Sequence, residues 1–322
     1  MKLKPSLFAL ALAAFPAAAV DQTVLNTIGP GAAVVAGFDF DRVKASPLGQ
    51  NALAQLNVAE EDFRKMSDLL GFDLRRDLRE VVLISPDAAM RSNALVIVRG
   101  TFDQAKLTGV AGLKGGANLT AYNGVTMLGK GTGANSQWAA FLAGGLVFGA
   151  DTAVKAAVDR SVKGVVADAG LAARVQAASA QHDAWVLTTV SPARFAPQVK
   201  KRPVPGDPAG NSMDALLQGT VVQGIENVAL GLNFGATVTL SGEASMRSDK
   251  DAAALGDIMK FLGQMAGSNI RGEGNALVTL LNSLQTDAAG RTLRFSMSAP
   301  QAEFEKLMRQ AAPHARPVVY KH

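Results

Sequence analysis

The 322-residue sequence contains no cysteine and only three histidines, the two residue types that most often bind zinc. The histidines are His182, His314 and His322. A zinc site needs three or four converging ligands, and a serine triad needs a histidine that an acid orients. The sequence therefore argues against zinc and serine–histidine chemistry. The absence of cysteine also excludes disulfides and a lipid anchor attached through cysteine.

Aromatic residues are scarce, at 6%, and charge is nearly balanced, with 32 basic and 27 acidic residues. Basic residues cluster only briefly, at Arg75, Arg76 and Arg79 and again over 200–202. A nucleic-acid-binding surface concentrates basic residues on one face, often with aromatic side chains between them. We therefore expect solvated surface here and no nucleic-acid partner.

Long hydrophobic runs are also absent, apart from the N-terminus. Lys2 and Lys4 precede a short apolar run, Leu7–Phe15, which Pro16 ends before the small residues Ala17–Ala19. This order is typical of a secretory signal peptide, and the run is too short to span a bilayer, which takes roughly 20 residues. We predict a signal peptide over 1–19 with cleavage near Ala19. A buried N-terminal helix is the alternative.

Cleavage there would place the mature chain in the periplasm or outside the cell. The longest later apolar stretch, 138–148, is interrupted by Gly144 and Gly145 and is too short for a membrane span. We therefore expect no transmembrane segment in the mature chain.

One segment, Gly124–Lys130, matches most of a phosphate-binding loop. Such a loop places Ser or Thr after the lysine and a helix directly behind it. Position 131 is glycine, and the preceding residues form one arm of an Asn-Gly hairpin. We therefore expect no nucleotide and no other cofactor.

Paired carboxylates remain as candidate catalytic or metal-binding groups. Asp39 and Asp41 flank Phe40 at the end of a predicted strand, where they could serve as an acid/base pair or hold a hard cation. The alternative is an ordinary strand end, where aspartate is common. This pair makes a hydrolase the third-ranked hypothesis. No catalytic or metal-binding residue is predicted.

Apolar strands alternate with amphipathic helices along the chain. Thr101–Gln104 and Ser298–Gln301 fit the capping box that begins a helix, and Asp151 and Ser248 are further candidate N-caps. Asn123-Gly124 predicts a tight hairpin, because both residues tolerate positive φ.

The two halves share a pattern. "VIVRGTFDQAKL" and "RFSMSAPQAEFEKL" both predict a strand followed by a capped helix, while "AAVVAGFDFDRV" and "DAWVLTTVSPARF" both predict an apolar strand with a polar exit. We predict a divergent duplication with halves at 20–180 and 181–312 and a tail at 313–322. The predicted fold is α+β, each half an antiparallel sheet with helices packed on one face.

The segments "VTLSGEASMRSDKDAAALGDIMKFL" and "LLNSLQTDAAGRTLRFSMSAPQAEFEKLM" resemble a loose group of exported bacterial proteins of unknown function. The group repeats a strand, a capped helix and a hairpin. The resemblance covers 184–310 well and the first half weakly, and it implies a fold but no catalytic residues.

The last third of the sequence is rich in methionine and phenylalanine, and methionine-rich surfaces adapt to varied apolar partners. The candidate lining of a hydrophobic-ligand cleft is Met259, Phe261, Met265, Phe295, Met297, Phe304 and Met308. Residues at this spacing also form ordinary core. The first hypothesis is a non-enzymatic binding or interaction protein of the cell envelope, with an unknown protein or lipid partner. The second is a carrier that holds a hydrophobic ligand between sheet and helices.

Overall fold

A computed structural model describes residues 20–56, 67–68, 71–87, 93–132, 136–142, 145–192, 220–269 and 276–311. The predicted signal peptide at 1–19 and the predicted tail at 313–322 lie outside the described residues. In the described ranges, no helix combines the length and hydrophobicity needed to cross a membrane.

The described strands form one twelve-stranded sheet. They are β1 (Val34–Asp39), β2 (Leu78–Ser85), β3 (Leu95–Gly100), β4 (Asn118–Tyr122), β5 (Val125–Lys130), β6 (Gln137–Leu142), β7 (Gly145–Gly149), β8 (Ala184–Thr188), β9 (Ile225–Phe234), β10 (Thr237–Met246), β11 (Gln285–Ala289) and β12 (Thr292–Pro300). Their order is β11-β12-β10-β9-β8-β1-β2-β3-β7-β6-β5-β4, and all neighbours are antiparallel.

Helices occupy connections between these strands, and one helix precedes the first strand and one follows the last. They are α1 (Gln22–Thr27), α2 (Phe40–Ala45), α3 (Pro47–Leu56), α4 (Leu74–Asp77), α5 (Gln104–Gly115), α6 (Asp151–Lys163), α7 (Ala169–Gln181), α8 (Thr220–Gln223), α9 (Asp249–Asn269), α10 (Ala276–Asn282) and α11 (Gln301–Ala311). The predicted α+β class with an antiparallel sheet is confirmed.

The strand order is the same in both halves when it is followed outward from the centre. Three consecutive strands, β1-β2-β3 or β8-β9-β10, are followed by the second strand of a hairpin and then by the first, as β7-β6 or β12-β11. The first half carries one further hairpin, β5-β4, at its edge. Pairing of β1 with β8 makes the sheet continuous.

One side of the sheet, here called face A, carries Val35, Val82 and Leu187, each at most 1% exposed. These residues pack against α1, α6 and α7, whose contributions include Val154 and Val175, both 0% exposed. Strand side chains alternate between the two faces of a sheet. Face A therefore holds the larger core.

The opposite side, face B, carries Ala244 and Leu293, which pack with Ala252 and Leu255 of α9 in a second core cluster. The Phe304 ring of α11 meets that of Phe234 of β9, also on face B, with centroids 6.3 Å apart. The helices are thus divided between the faces: α1, α6 and α7 lie against face A, and α9 and α11 against face B.

The seam between the halves depends on one close contact. Gly37 of β1 lies opposite Trp185 of β8, and a Cβ built on Gly37 would lie 2.4 Å from the indole ring. Glycine therefore lets Trp185 pack flat on β1, where the tryptophan is 4% exposed. The Arg42 guanidinium donates a hydrogen bond to the His182 carbonyl, 3.2 Å away, and adds a polar link across the seam.

Two local predictions are confirmed. Asn123 and Gly124 adopt φ angles of 50° and 79°, and they connect β4 to β5 as the Asn-Gly pair predicted. The Ser248 hydroxyl accepts a hydrogen bond from the Asp251 backbone N–H at 3.1 Å, so serine caps α9.

Three predicted helix starts are wrong by one or two residues. Asp103, rather than Thr101, caps α5, because its carboxylate accepts from the Lys106 N–H. Asp151 lies in the first turn of α6, after the N-cap residue Ala150. The segment at Ser298 continues β12 through Pro300, and α11 begins at the next residue.

Candidate functional site

An apolar row crosses five strands on face B of the first half. Leu119 lies opposite Leu128, Leu128 opposite Ala139, Ala139 opposite Phe148, and Phe148 opposite Val96. Directly opposed residues in antiparallel strands share a face, so these five side chains form one surface.

The same strands are also apolar on face A. Met127, Ala140 and Val147 are at most 1% exposed there, where they belong to the larger core. On face B, Phe148 is 39% exposed and Leu119 is 60% exposed, Val96 and Leu128 are partly buried, and Ala139 is 8% exposed. Strands with apolar residues on both faces are expected to be covered on both. Face B here is open among the described residues.

Four residues of the row form the floor of a cavity with a volume of about 420 Å³. We call it the face-B pocket, and its floor is Val96, Leu128, Ala139 and Phe148. This volume lies within the range of small-molecule sites, roughly 300–1,000 Å³, whose linings are mainly apolar.

The rim of the face-B pocket is polar at one end. Lys130 and Gln137 lie opposite one another, two residues along their strands from Leu128 and Ala139 and therefore on the same face. Lys130 is exposed and forms no ion pair with any described carboxylate. The pocket thus combines an apolar floor with one uncompensated ammonium group.

Residues named from the sequence as a possible ligand lining lie in several places. Met259 packs against the second core cluster, whereas Phe261 is 52% exposed. Phe295 and Met297 lie on face B of β12, where both are partly buried. Phe304 contacts Phe234. The side chains of Met265 and Met308 lie outside the described part of the structure.

The sequence did not single out the residues of the face-B pocket. A signal was present in β5 and β7, where the adjacent pairs Met127-Leu128 and Val147-Phe148 place apolar side chains on both faces. Met127 and Val147 belong to the core on face A, so Leu128 and Phe148 are apolar residues left on face B.

Asp39 and Asp41 each interact with a basic residue of α2. Asp39 caps α2 through the Arg42 N–H and forms an ion pair with its guanidinium at 3.2 Å. Asp41 pairs instead with Lys44 at 2.9 Å. Both carboxylates therefore stabilise the start of α2. In the described ranges no three His, Asp or Glu side chains are grouped closely enough to hold a metal ion.

No protein-family model matches the chain, and no curated protein matches it. Among solved structures, two similar chains are described as crystal forms III and I of TP0453. They are each 11% identical, with TM-scores of 0.46 and 0.45. The matches cover 89% and 91% of this chain and 97% and 98% of those chains. Similarity at this level carries no inference about function.

Proposed function

We propose that this chain is an exported, non-enzymatic binding protein of the bacterial cell envelope that holds an acyl chain of an anionic lipid in the face-B pocket. The observation that carries the proposal is the open apolar row from Leu119 to Val96 with Lys130 at its rim. Export rests on the signal-peptide pattern of residues 1–19, which lie outside the described residues.

An acyl chain fits the chemistry of the floor. Burial of apolar surface is favourable by roughly 0.8 kcal/mol per CH₂ group, and exposed Phe148 and Leu119 would lose contact with water at the same time. Large contiguous exposed apolar surfaces mark interaction surfaces or ligand-binding grooves.

A negative headgroup fits the rim. The Lys130 ammonium is a compact point charge of the kind that binds phosphate and carboxylate groups. Because no described carboxylate neutralises it, a bound anion would not have to displace an existing partner.

Replacement of Phe148 by aspartate is expected to weaken binding of a fluorescent fatty acid at least tenfold, about 1.4 kcal/mol. The reason is that the new carboxylate would be desolvated against the acyl chain. Titration of purified protein with the fatty acid, followed by fluorescence, measures the change.

Phe261→Asp is the matched control, because Phe261 is also an exposed phenylalanine but lies on α9. It should bind the fatty acid as the unmodified protein does. Lys130→Gln should weaken binding of the fatty acid more than it weakens binding of the corresponding fatty alcohol. Equal loss in Phe148→Asp and Phe261→Asp would contradict the proposal.

A protein partner is the second candidate, favoured by the free edge of β4. Among the described strands it pairs with β5 alone, and four of its five residues are exposed. An edge strand with unpaired backbone groups can accept a strand from another chain. Native mass spectrometry separates the candidates, since a lipid adds a small mass and a protein adds a large one.

A further inference from the structure

A second cleft, on face A of the other half, has a different chemistry. It lies between α7 and strands β8, β9, β10 and β12, with a cavity volume of about 370 Å³. We call it the α7 cleft. The α7 cleft lies on the opposite face of the sheet from the face-B pocket and is therefore a separate site.

One wall of the α7 cleft comes from a single stripe of α7. Arg174, Ala178 and His182 are spaced four residues apart and therefore lie on one side of the helix and its C-cap. At 1.5 Å per residue, the stripe extends roughly 12 Å.

The floor of the α7 cleft is apolar and built of small residues. Ala229 and Gly231 lie opposite Leu187 and Trp185 and so share face A with them. The His182 ring lies directly on Gly231, where an added Cβ would come within 2.2 Å of it. Glycine at this position therefore allows the imidazole to close one end of the cleft.

The charge in the α7 cleft is carried by Arg174. Its guanidinium donates to the Asn227 side-chain oxygen at 3.0 Å and to the Thr188 carbonyl at 3.4 Å, both uncharged partners. Across the cleft, Glu243 and Arg294 neutralise one another in a 2.9 Å ion pair. Arg174 forms no ion pair with any carboxylate in the described ranges.

The imidazole at the other end is shifted toward its neutral form. Burial lowers the pKa of His182, and the nearby Arg42 guanidinium lowers it further, whereas a side-chain hydrogen bond with Asn233 and the charge of Asp183 raise it. The cleft therefore offers one uncompensated guanidinium beside a short apolar floor.

We propose that the α7 cleft binds a small organic carboxylate, whose carboxylate group meets Arg174 and whose short apolar part lies over Ala178 and Ala229. A planar guanidinium matches carboxylate geometry with two parallel hydrogen bonds. The apolar part of the ligand would displace water from the small-residue floor, and this burial adds to the binding free energy. Inorganic phosphate has no apolar part and would not gain this contribution.

Titration of the ¹⁵N-labelled full mature chain with butyrate, acetate and inorganic phosphate tests the proposal by NMR. We expect saturable shifts of the Ala229 and Gly231 amides, with butyrate binding more tightly than acetate and phosphate. Arg174→Gln should weaken butyrate at least tenfold, because it removes the charge-assisted hydrogen bonds. Arg291→Gln, which alters an exposed arginine in the turn between β11 and β12, should leave the affinity unchanged.

Ala229→Leu provides a second variant, since it fills the floor and leaves Arg174 in place. It should reduce butyrate binding and preserve the amide spectrum away from the cleft. Shifts that do not saturate, phosphate binding as tight as butyrate binding, or equal losses in Arg174→Gln and Arg291→Gln would each overturn the assignment.

Discussion

Replacement of Trp185 by alanine is expected to lower the free energy of unfolding by about 3–5 kcal/mol, as is typical when a large buried aromatic side chain is removed from a core. Trp185 is 4% exposed and belongs to the larger core on face A. Its indole packs on Gly37 of the neighbouring strand, so no Cβ is present on β1 to fill the space that truncation leaves. Chemical denaturation of the mature chain, monitored by circular dichroism, measures the loss.

The seam makes this substitution informative about cooperativity. β1 and β8 are adjacent central strands, and together they join seven strands on one side to five on the other. If the halves unfold as one unit, Trp185→Ala should shift a single transition. Phe261→Ala, which truncates a side chain that is 52% exposed, should change the free energy of unfolding by less than about 0.5 kcal/mol. A Trp185→Ala loss as small as that of the control would contradict the packing argument.

Local backbone chemistry could be predicted from the sequence where one residue type decides it. The Asn123-Gly124 turn needs positive φ at both positions, which few other dipeptides provide. The Ser248 cap depends on a hydroxyl directly before an amphipathic helix. Both features are set by near neighbours in the chain, so no knowledge of the rest of the fold is required.

Competition between nearby caps explains the errors at helix starts. Thr101 and Asp103 are both good N-cap residues, and the aspartate two residues later satisfies the Lys106 N–H. At Ser298, strand pairing prevails over capping: its N–H donates to the Ser283 hydroxyl at 2.7 Å, and the residue pairs with Thr239. A sequence pattern does not show which of two satisfactory local arrangements the tertiary structure selects.

The topology and the sites depend on long-range pairing. The segments "VIVRGTFDQAKL" and "RFSMSAPQAEFEKL" look equivalent. Counted outward from the seam with β1 or β8 as the first strand, however, β3 is the third strand of its half and β12 is the fourth. The face-B pocket likewise needs the register of five strands before Val96, Leu128 and Phe148 become neighbours. The α7 cleft joins Arg174 to a floor more than fifty residues later in the chain.

A buried carboxylate in the first half of the chain is paired with an arginine. Glu80 of β2 is 8% exposed and accepts from the Arg99 guanidinium at 2.9 Å, while the same arginine reaches Asp21, before α1, at 3.3 Å. Burial raises the pKa of Glu80, and the negative charge of Asp39 adds to that rise, whereas Arg99 opposes it. The arginine therefore favours the ionised form of a buried carboxylate, and it links β2, β3 and the residue before α1.

Replacement of Arg99 by methionine is expected to lower the free energy of unfolding by about 3 kcal/mol at pH 7, because it leaves the Glu80 carboxylate buried without its partner. The folded chain then holds a proton on Glu80 more tightly than the unfolded chain does, so the loss should shrink as pH falls through the raised pKa of Glu80. Denaturant titrations at pH 7 and pH 5 measure both effects.

Glu80→Gln in the Arg99→Met background should recover part of the loss at pH 7 and remove its pH dependence. Arg291→Met, which breaks an exposed ion pair with Glu226, should cost less than about 1 kcal/mol at either pH. A loss in Arg99→Met that stays constant between the two pH values would show that Arg99 acts through packing of its side chain rather than through the charge of Glu80.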